Sequence, residues 1–428
     1  METSIAVAIF SITYILIIFE KVHKTTAALA GGTAMILFKV LDTEQAFESV
    51  ELEVIFLLTG MMIIANALAS TGVFQWIAIR AAKLAKGSPI RVLVILCAIT
   101  ALASAFLDNV TTVVLLAPVT LVVAQTLEVR AVPMLIAEAL ASNIGGTATL
   151  IGDPPNILIA SHANISFVEF FVNVGPVSIL SLIAFLAVSP WLMGRGLDTP
   201  QHLRERVMEI DDSELITDTR LLKIALAILG VVIAGFLLQG VLGYEPAGVA
   251  LIGGAALLLI TGHDPHEALR EVEWATLFFF IGLFIVVGGL EHEGVLETVG
   301  NRAAELTGDS VSAATYMILW MSALASGVVD NIPYTATMLP IVEEMGHANP
   351  NIDGDAPHVL WWALAIGADM GGNLTIVGAS ANVLVANISA RSGRPITFFE
   401  FFRYGAVTTV GTMVIASIYL WIRFFVFG

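Results

Sequence analysis

Two aspartates stand in the middle of otherwise apolar sequence, each followed by an asparagine. They are Asp108-Asn109 in SAFLDNVTTVVLLAP (104–118) and Asp330-Asn331 in SGVVDNIPYTATMLP (326–340). A carboxylate inside hydrocarbon is costly and marks an ion or proton path. The adjoining amide offers a neutral oxygen and two donors. A structural role can coexist with this, because an aspartate side chain can cap the helix that follows it. Farther along, SNIGGTATLIGDPPN (142–156) and ADMGGNLTIVGASAN (368–382) combine Gly-Gly with threonine, asparagine and one more aspartate each, Asp153 and Asp369. Within a bilayer, backbone leaves the helix only where protein or a polar cavity surrounds it. Gly145-Gly146 and Gly371-Gly372 allow close approach and unusual dihedrals, and Pro154-Pro155 halts helix propagation. Ser380-Ala381 replaces the prolines in the second motif, so its break rests on the glycines. A broken helix offers amide hydrogens to anions at one end and carbonyls to cations at the other.

The candidate substrate- and ion-binding residues are therefore Asp108, Asn109, Thr111, Asn143, Gly145, Gly146, Thr149, Gly152, Asp153 and Asn156 in the first half of the chain. In the second half they are Asp330, Asn331, Asp369, Gly371, Gly372, Asn373, Thr375, Gly378, Ser380 and Asn382. A sodium ion is placed at Asp108, Asn109, Asp330 and Asn331. Any single asparagine or threonine of this set also suits a helix–helix hydrogen bond. Asp153 aligns with Ala379 and Asp369 with Asn143, so each half has one extra carboxylate at a non-equivalent position, where helix capping is the other open role. Of the eight histidines only His162 is given a place, near a cavity mouth. Cys97 is the single cysteine and cannot form an internal disulfide. No Walker A sequence is present, and no cofactor is expected beyond a coupling ion, H+ or Na+.

These motifs are one motif set written twice. Ser104, Asp108, Asn109 and Pro118 pair with Ser326, Asp330, Asn331 and Pro340 at a constant shift of 222 residues, as do Gly60 with Gly282 and Gly72 with Gly294. Gly145 pairs with Gly371 at 226, the extra residues falling in a loop at 349–357. Two apolar halves with matching polar interruptions are the signature of a secondary transporter built from repeats around a central site.

The elements that must carry the motifs are apolar. The chain is 57% hydrophobic and 13% charged, with mean hydropathy +0.89, against roughly a quarter charged in soluble domains. The expected class is an all-α polytopic membrane protein of two inverted repeats. Repeat 1 covers 1–192, a polar cytoplasmic linker 193–220, and repeat 2 221–428. Each repeat has spans at 4–20, 25–40 and 54–70 (221–241, 247–261, 275–290), a re-entrant hairpin at 92–125 (313–342), a broken span at 133–160 (358–387) and a last span at 169–192 (398–425). Five crossings per repeat turn the second upside down. Loop charge agrees: 70–91 carries Arg80, Lys83, Lys86 and Arg91 and reads as cytoplasmic, whereas the counterpart loop 291–312 is acidic and reads as external. Both termini are then outside. Trp361-Trp362 and Trp421 are expected at membrane interfaces. The net charge of −17 lies in loops, and no nucleic-acid partner is expected.

At these motifs the chain resembles the ArsB/NhaD family of the ion transporter superfamily, which includes arsenite permeases, NhaD-type sodium–proton antiporters and the pigmentation P-protein. SNIGGTATLIGDPPN, DNIPYTATMLP and GGNLTIVGASAN are most similar to the P-protein branch, and the resemblance spans essentially the whole chain. It is similar, more distantly, to sodium–dicarboxylate symporters, whose hairpin tips carry Ser-Asn-Thr where this chain has Asp108-Asn109-Val110 and Asp330-Asn331-Ile332. A carboxylate can exchange a proton where a serine cannot. The resemblance implies a homodimer in the bilayer, a scaffold and a moving transport domain in each protomer, elevator-like alternating access and a small ion as substrate. It also implies the cell membrane of a prokaryote. The alternatives are a sodium-coupled dicarboxylate- or citrate-like symporter, an arsenite efflux permease and, more remotely, a channel. An enzyme is not expected, because an intramembrane aspartyl protease needs Gly-x-Gly-Asp and the chain reads Leu150-Ile151-Gly152-Asp153.

Overall fold

The computed structural model describes residues 2–19, 22–352 and 358–426; part of the 349–357 loop lies outside these. The first half runs α1 (Glu2–Phe19), α2 (Lys24–Leu37), α3 (Thr43–Glu48), α4 (Leu52–Ser70), α5 (Val73–Leu84), α6 (Pro89–Ser104), α7 (Asn109–Thr126), α8 (Ala131–Gly146), α9 (Pro154–His162) and α10 (Phe167–Met193). The linker contributes α11 (Gln201–Glu209). The second half repeats the order as α12 (Thr219–Leu237), α13 (Gln239–Leu242), α14 (Pro246–Thr261), α15 (Pro265–Arg270), α16 (Trp274–His292), α17 (Val295–Thr307), α18 (Val311–Ser326), α19 (Asn331–Ala348), α20 (Val359–Gly371), α21 (Ser380–Arg391) and α22 (Phe398–Leu420). The chain is an all-α polytopic membrane protein. Among the described residues, seven helices are long and apolar enough to cross a bilayer. α6, α8, α18 and α20 are apolar but shorter, 13 to 16 residues, because each stops at a tip or a break. Every residue of α8 and of α20 is buried. Helices apolar on all sides belong in the interior, and these two form the core.

Packing divides the helices into two groups. α1, α2, α4, α12, α14 and α16 pack on one another as a frame, and α6–α10 with α18–α22 form the bundle that holds the motifs. Partners are swapped between halves. α2 packs on α16 while its counterpart α14 packs on α4. A Cβ on Gly282 would fall 2.5 Å from the Ala28 carbonyl carbon, and the equivalent Cβ on Gly60 would meet the equivalent Ala250. α9 likewise packs on α19 while α21 packs on α7. This reciprocal pairing gives the molecule an internal two-fold relation.

Two expectations need correction. The segments 70–91 and 291–312 are not plain loops: α5 and α17 occupy most of them and cover α7 and α19. Each mixes apolar and charged residues at helical spacing and turns its apolar face onto the hairpin arm. Trp361 and Trp362 are not at an interface but buried at 3% and 2% exposure. Trp361 packs against the rings of His162 and His358, and Trp362 against Phe170. Trp421 is exposed.

Candidate functional site

Each hairpin turns on its aspartate. Asp108 precedes α7 and accepts from the Thr111 amide at 2.8 Å and from the Thr111 hydroxyl at 2.5 Å. Asp330 precedes α19 and accepts from the Ile332 amide at 3.2 Å. Both therefore cap their helices, and both also line one open cavity of about 420 Å³. Pro333 stands where the first half has Thr111. Asp330 instead receives the Ser380 hydroxyl at 2.9 Å and the Lys24 ammonium at 2.9 Å; the ammonium also reaches Ser380 at 2.8 Å. Lys24 comes from frame helix α2 and Asp330 from the site bundle, so this ion pair bridges the two helix groups.

The breaks close against the hairpins. A Cβ on Gly145 would fall 2.5 Å from Ala101 Cα, and one on Gly371 2.5 Å from Ala323 Cα. Thr149 donates to the Ala105 carbonyl, and Thr375 to the Gly327 carbonyl at 2.7 Å. Asn156 donates to the carbonyls of Gly146 and Thr149 at 3.2 and 3.1 Å, and Asn382 to those of Gly372 and Thr375 at 2.8 and 2.9 Å. The asparagine amides thus cap carbonyls freed by each break. Gly152 and Gly378 lie against the backbone of Gly146 and Gly372, and the Asn331 amide donates to the Gly378 carbonyl at 3.2 Å. In these positions Thr149, Thr375 and the six glycines hold the chain path and turn no charged group toward a ligand.

The centre is where the halves meet. Asn143 donates to Asn373 Oδ1 and Asn382 Oδ1, both at 3.0 Å, and accepts from Asn109 at 3.2 Å. Asp153 precedes α9 without capping it. Its carboxylate instead takes Asn109 Nδ2 at 2.6 Å and Asn331 Nδ2 at 3.3 Å, one amide from each hairpin tip. Asp369, wholly buried, lies beside Thr147 and Asn156, yet neither of its oxygens completes a hydrogen bond. Nδ2 of Asn373 and Oδ1 of Asn156 are likewise buried without partners. So the structure gathers Asn109, Asn143, Asp153, Asn156, Asn331, Asp369, Asn373 and Asn382 in one place. It sets Asp108, Asp330 and Ser380 beside the open cavity, and Thr111 on the capped tip. His162 lines neither this cavity nor its counterpart; it pairs with Glu343 at 2.9 Å. A buried carboxylate without hydrogen bonds is unfavourable unless a positive charge joins it. The centre therefore has the composition of a cation or proton site.

A second cavity, about 370 Å³, holds Glu53, Ser161, Gln239, Glu245 and Pro246. It is the repeat counterpart of the first, with Glu53, Ser161 and Pro246 standing where the other has Ala275, Asn387 and Lys24. Glu53 accepts from Ser161 at 3.1 Å, again joining frame to bundle. Lys24 and Glu53 were missed in the sequence. Their signal was mismatch, an ionic residue where the other half has proline or alanine.

Two halves with swapped packing, converging on interrupted helices that enclose buried carboxylates between paired cavities, have the architecture of a membrane transporter. The model of the family CitMHS, described as citrate transporter, matches residues 14–367. The chain belongs to that family. It is 47% identical over 427 residues to an uncharacterized transporter of Mycobacterium tuberculosis, covering 99% of both chains. It is 33% identical over 509 residues to the human P protein, all of this chain matching 60% of that one. Among solved structures it is similar to the YdaH transporter of Alcanivorax borkumensis, with TM-score 0.63 at 13% identity, over 99% and 98% of the two chains.

Proposed function

We propose that this chain is a secondary active ion transporter, coupled to protons, sodium or both, whose substrate site lies between the two hairpin tips and the two broken helices. The observation that carries the reading is Asp369, buried with two unpartnered oxygens across from Asp153. The cavity and centre together hold Asp108, Asp153, Glu273, Asp330 and Asp369 against one ammonium, Lys24. That balance favours a cation or proton. In this reading the hairpins are re-entrant, the repeats are inverted across the bilayer, and loop 70–91 and the linker face the cytoplasm. The bundle slides against the frame as an elevator in a homodimer, in the membrane of a prokaryote. The ArsB/NhaD branch is the finer family placement.

A second reading takes its support from the family's description: a citrate-like organic anion. The same charge balance requires that such an anion enter with cations, since five carboxylates repel a bare one. An arsenite permease is the third. Proteoliposomes carrying an internal pH dye, challenged with sodium, lithium, arsenite, citrate and dicarboxylates, decide among them. Sodium- or lithium-driven pH change that disappears in Asp369→Asn supports the first reading. Flux of citrate or a dicarboxylate that depends on accompanying cation favours the second. Flux of arsenite, or of any ion without coupling, defeats the proposal.

A further inference from the structure

The first half holds one carboxyl that the central site does not use. Glu138 lies on α8, eight residues before Gly146, or about 12 Å along the axis from the break. It is 1% exposed. Its Oε1 accepts from the Thr120 hydroxyl of α7, and its Oε2 is buried with no hydrogen-bond partner. α8 packs against α6, α7, α10, α20, α21 and α22. The titratable group that faces Glu138 from these is the Cys97 thiol of α6. Among the described residues no ion pair reaches it, and α8 carries no other ionic side chain.

The second half shows that the packing does not require this group. At the positions of Glu138, Thr120 and Cys97 it has Leu364, Val342 and Leu319, on the equivalent helices α20, α19 and α18. An unpaired charge in such surroundings is strongly unfavourable, whereas a neutral carboxylic acid is tolerated. Glu138 lies between two polar regions along α8. An open cleft bearing Arg130, Val132 and Glu400 lies at the start of α8, about 9 Å along the axis from Glu138. One turn beyond Glu138, Ser142 donates to Ser104 Oγ at 3.1 Å and to the Asn109 carbonyl at 3.2 Å, and the Asn109 amide holds Asp153.

We propose that Glu138 is a second proton-binding site of the bundle, midway between the cleft at the start of α8 and the central carboxylates. Its ligand is the proton itself: the acid releases H+ to water entering from the cleft and takes one back, with no other bond made or broken. The site goes beyond the central one and does not depend on it.

Infrared difference spectroscopy on the full-length protein in lipid, titrated with pH in H2O and D2O, tests this. A protonated carboxyl band should disappear in Glu138→Gln, shift on deuteration, and fade as pH rises in the unmodified protein. It should survive in Asp153→Asn and Asp369→Asn, which separates this site from the central one. Thr120→Val should move the band without removing it. If Glu138→Gln does not fold, Glu138→Leu, the second half's own residue, replaces it. Superimposable spectra of the unmodified and Glu138 variants, or a Glu138 band that ignores pH, would overturn the proposal.

Discussion

The two halves have the same chain path and different chemistry. Where their residues match, they hold backbone: Gly145 and Gly371 admit a neighbouring helix, Asn156 and Asn382 cap the broken ends, Thr149 and Thr375 tie breaks to hairpins. Where they differ, they mostly set charge: Asp153 against Ala379, Asp369 against Asn143, Lys24 against Pro246, Glu138 against Leu364. Duplication preserved the scaffold of the site and the paired tip aspartates, Asp108 and Asp330, and divergence placed the remaining ionisable groups. The two central carboxylates therefore come from unlike positions, one opening a half-helix and one near the end of another.

The largest break in this comparison comes from the unlike pair. Asp369→Asn or Asp153→Asn should weaken coupled cation flux about 100-fold, the scale of one charge-assisted contact of ~3 kcal/mol. Moving the carboxylate to its mirror position with Asp153→Ala plus Ala379→Asp should restore part of that flux, and vesicle assays of the three variants measure both effects. Restoration to the full rate would show that position is immaterial and that only the number of carboxylates counts. The matched pair sharpens the contrast. Gly145→Ala and Gly371→Ala should each cost ~1–3 kcal/mol by overpacking, lowering the melting temperature in detergent by similar amounts. A loss at only one of them would mean the halves do not bear equal load. Lys24→Ala removes a bridge that the first hairpin lacks. It should tighten cation binding modestly, within about fivefold, since a partly exposed pair is worth ~1 kcal/mol or less; isothermal titration with sodium reads this, and weaker binding would contradict it. The smallest effect lies in the linker. Lys83 bonds Asp212 at 2.5 Å with Arg80 beside it, and together they hold that carboxyl below its ordinary value. The contact is complete at neutral pH and is lost as acidification protonates Asp212. Protease cutting within 193–220 should therefore rise at low pH, and Asp212→Asn should cut equally fast at every pH.

Much of this architecture was legible because a bilayer allows few solutions. Apolar runs gave the spans, and the repeated motifs, shifted by 222 residues at the hairpins and 226 at the breaks, located both hairpins and both breaks, including the second, where Ser380-Ala381 replaces proline. What stayed hidden has a common cause. Matching the halves draws attention to shared residues, so Lys24, Glu53 and Glu138, which have no polar counterpart, went unremarked. α5 and α17 read as loops in the sequence because short amphipathic helices carry too little apolar sequence to look like spans. Trp361 and Trp362 were placed at an interface from residue type alone, whereas the uniformly apolar run around them marks a helix buried on every side.

The glycine seams between α2 and α16, and between α4 and α14, have a consequence for biosynthesis. A nascent chain threads into the membrane from its amino end, so α2 and α4 are in place long before residues 246–292 exist. Until then Ala28 and Gly60 have no partner surface, and the first half waits as an open assembly. A ribosome that stalls in the linker would leave a product unable to close on itself, a ready substrate for membrane quality control. Supplying residues 221–428 as a separate polypeptide should rescue it only when both pieces are made in the same cell at the same time.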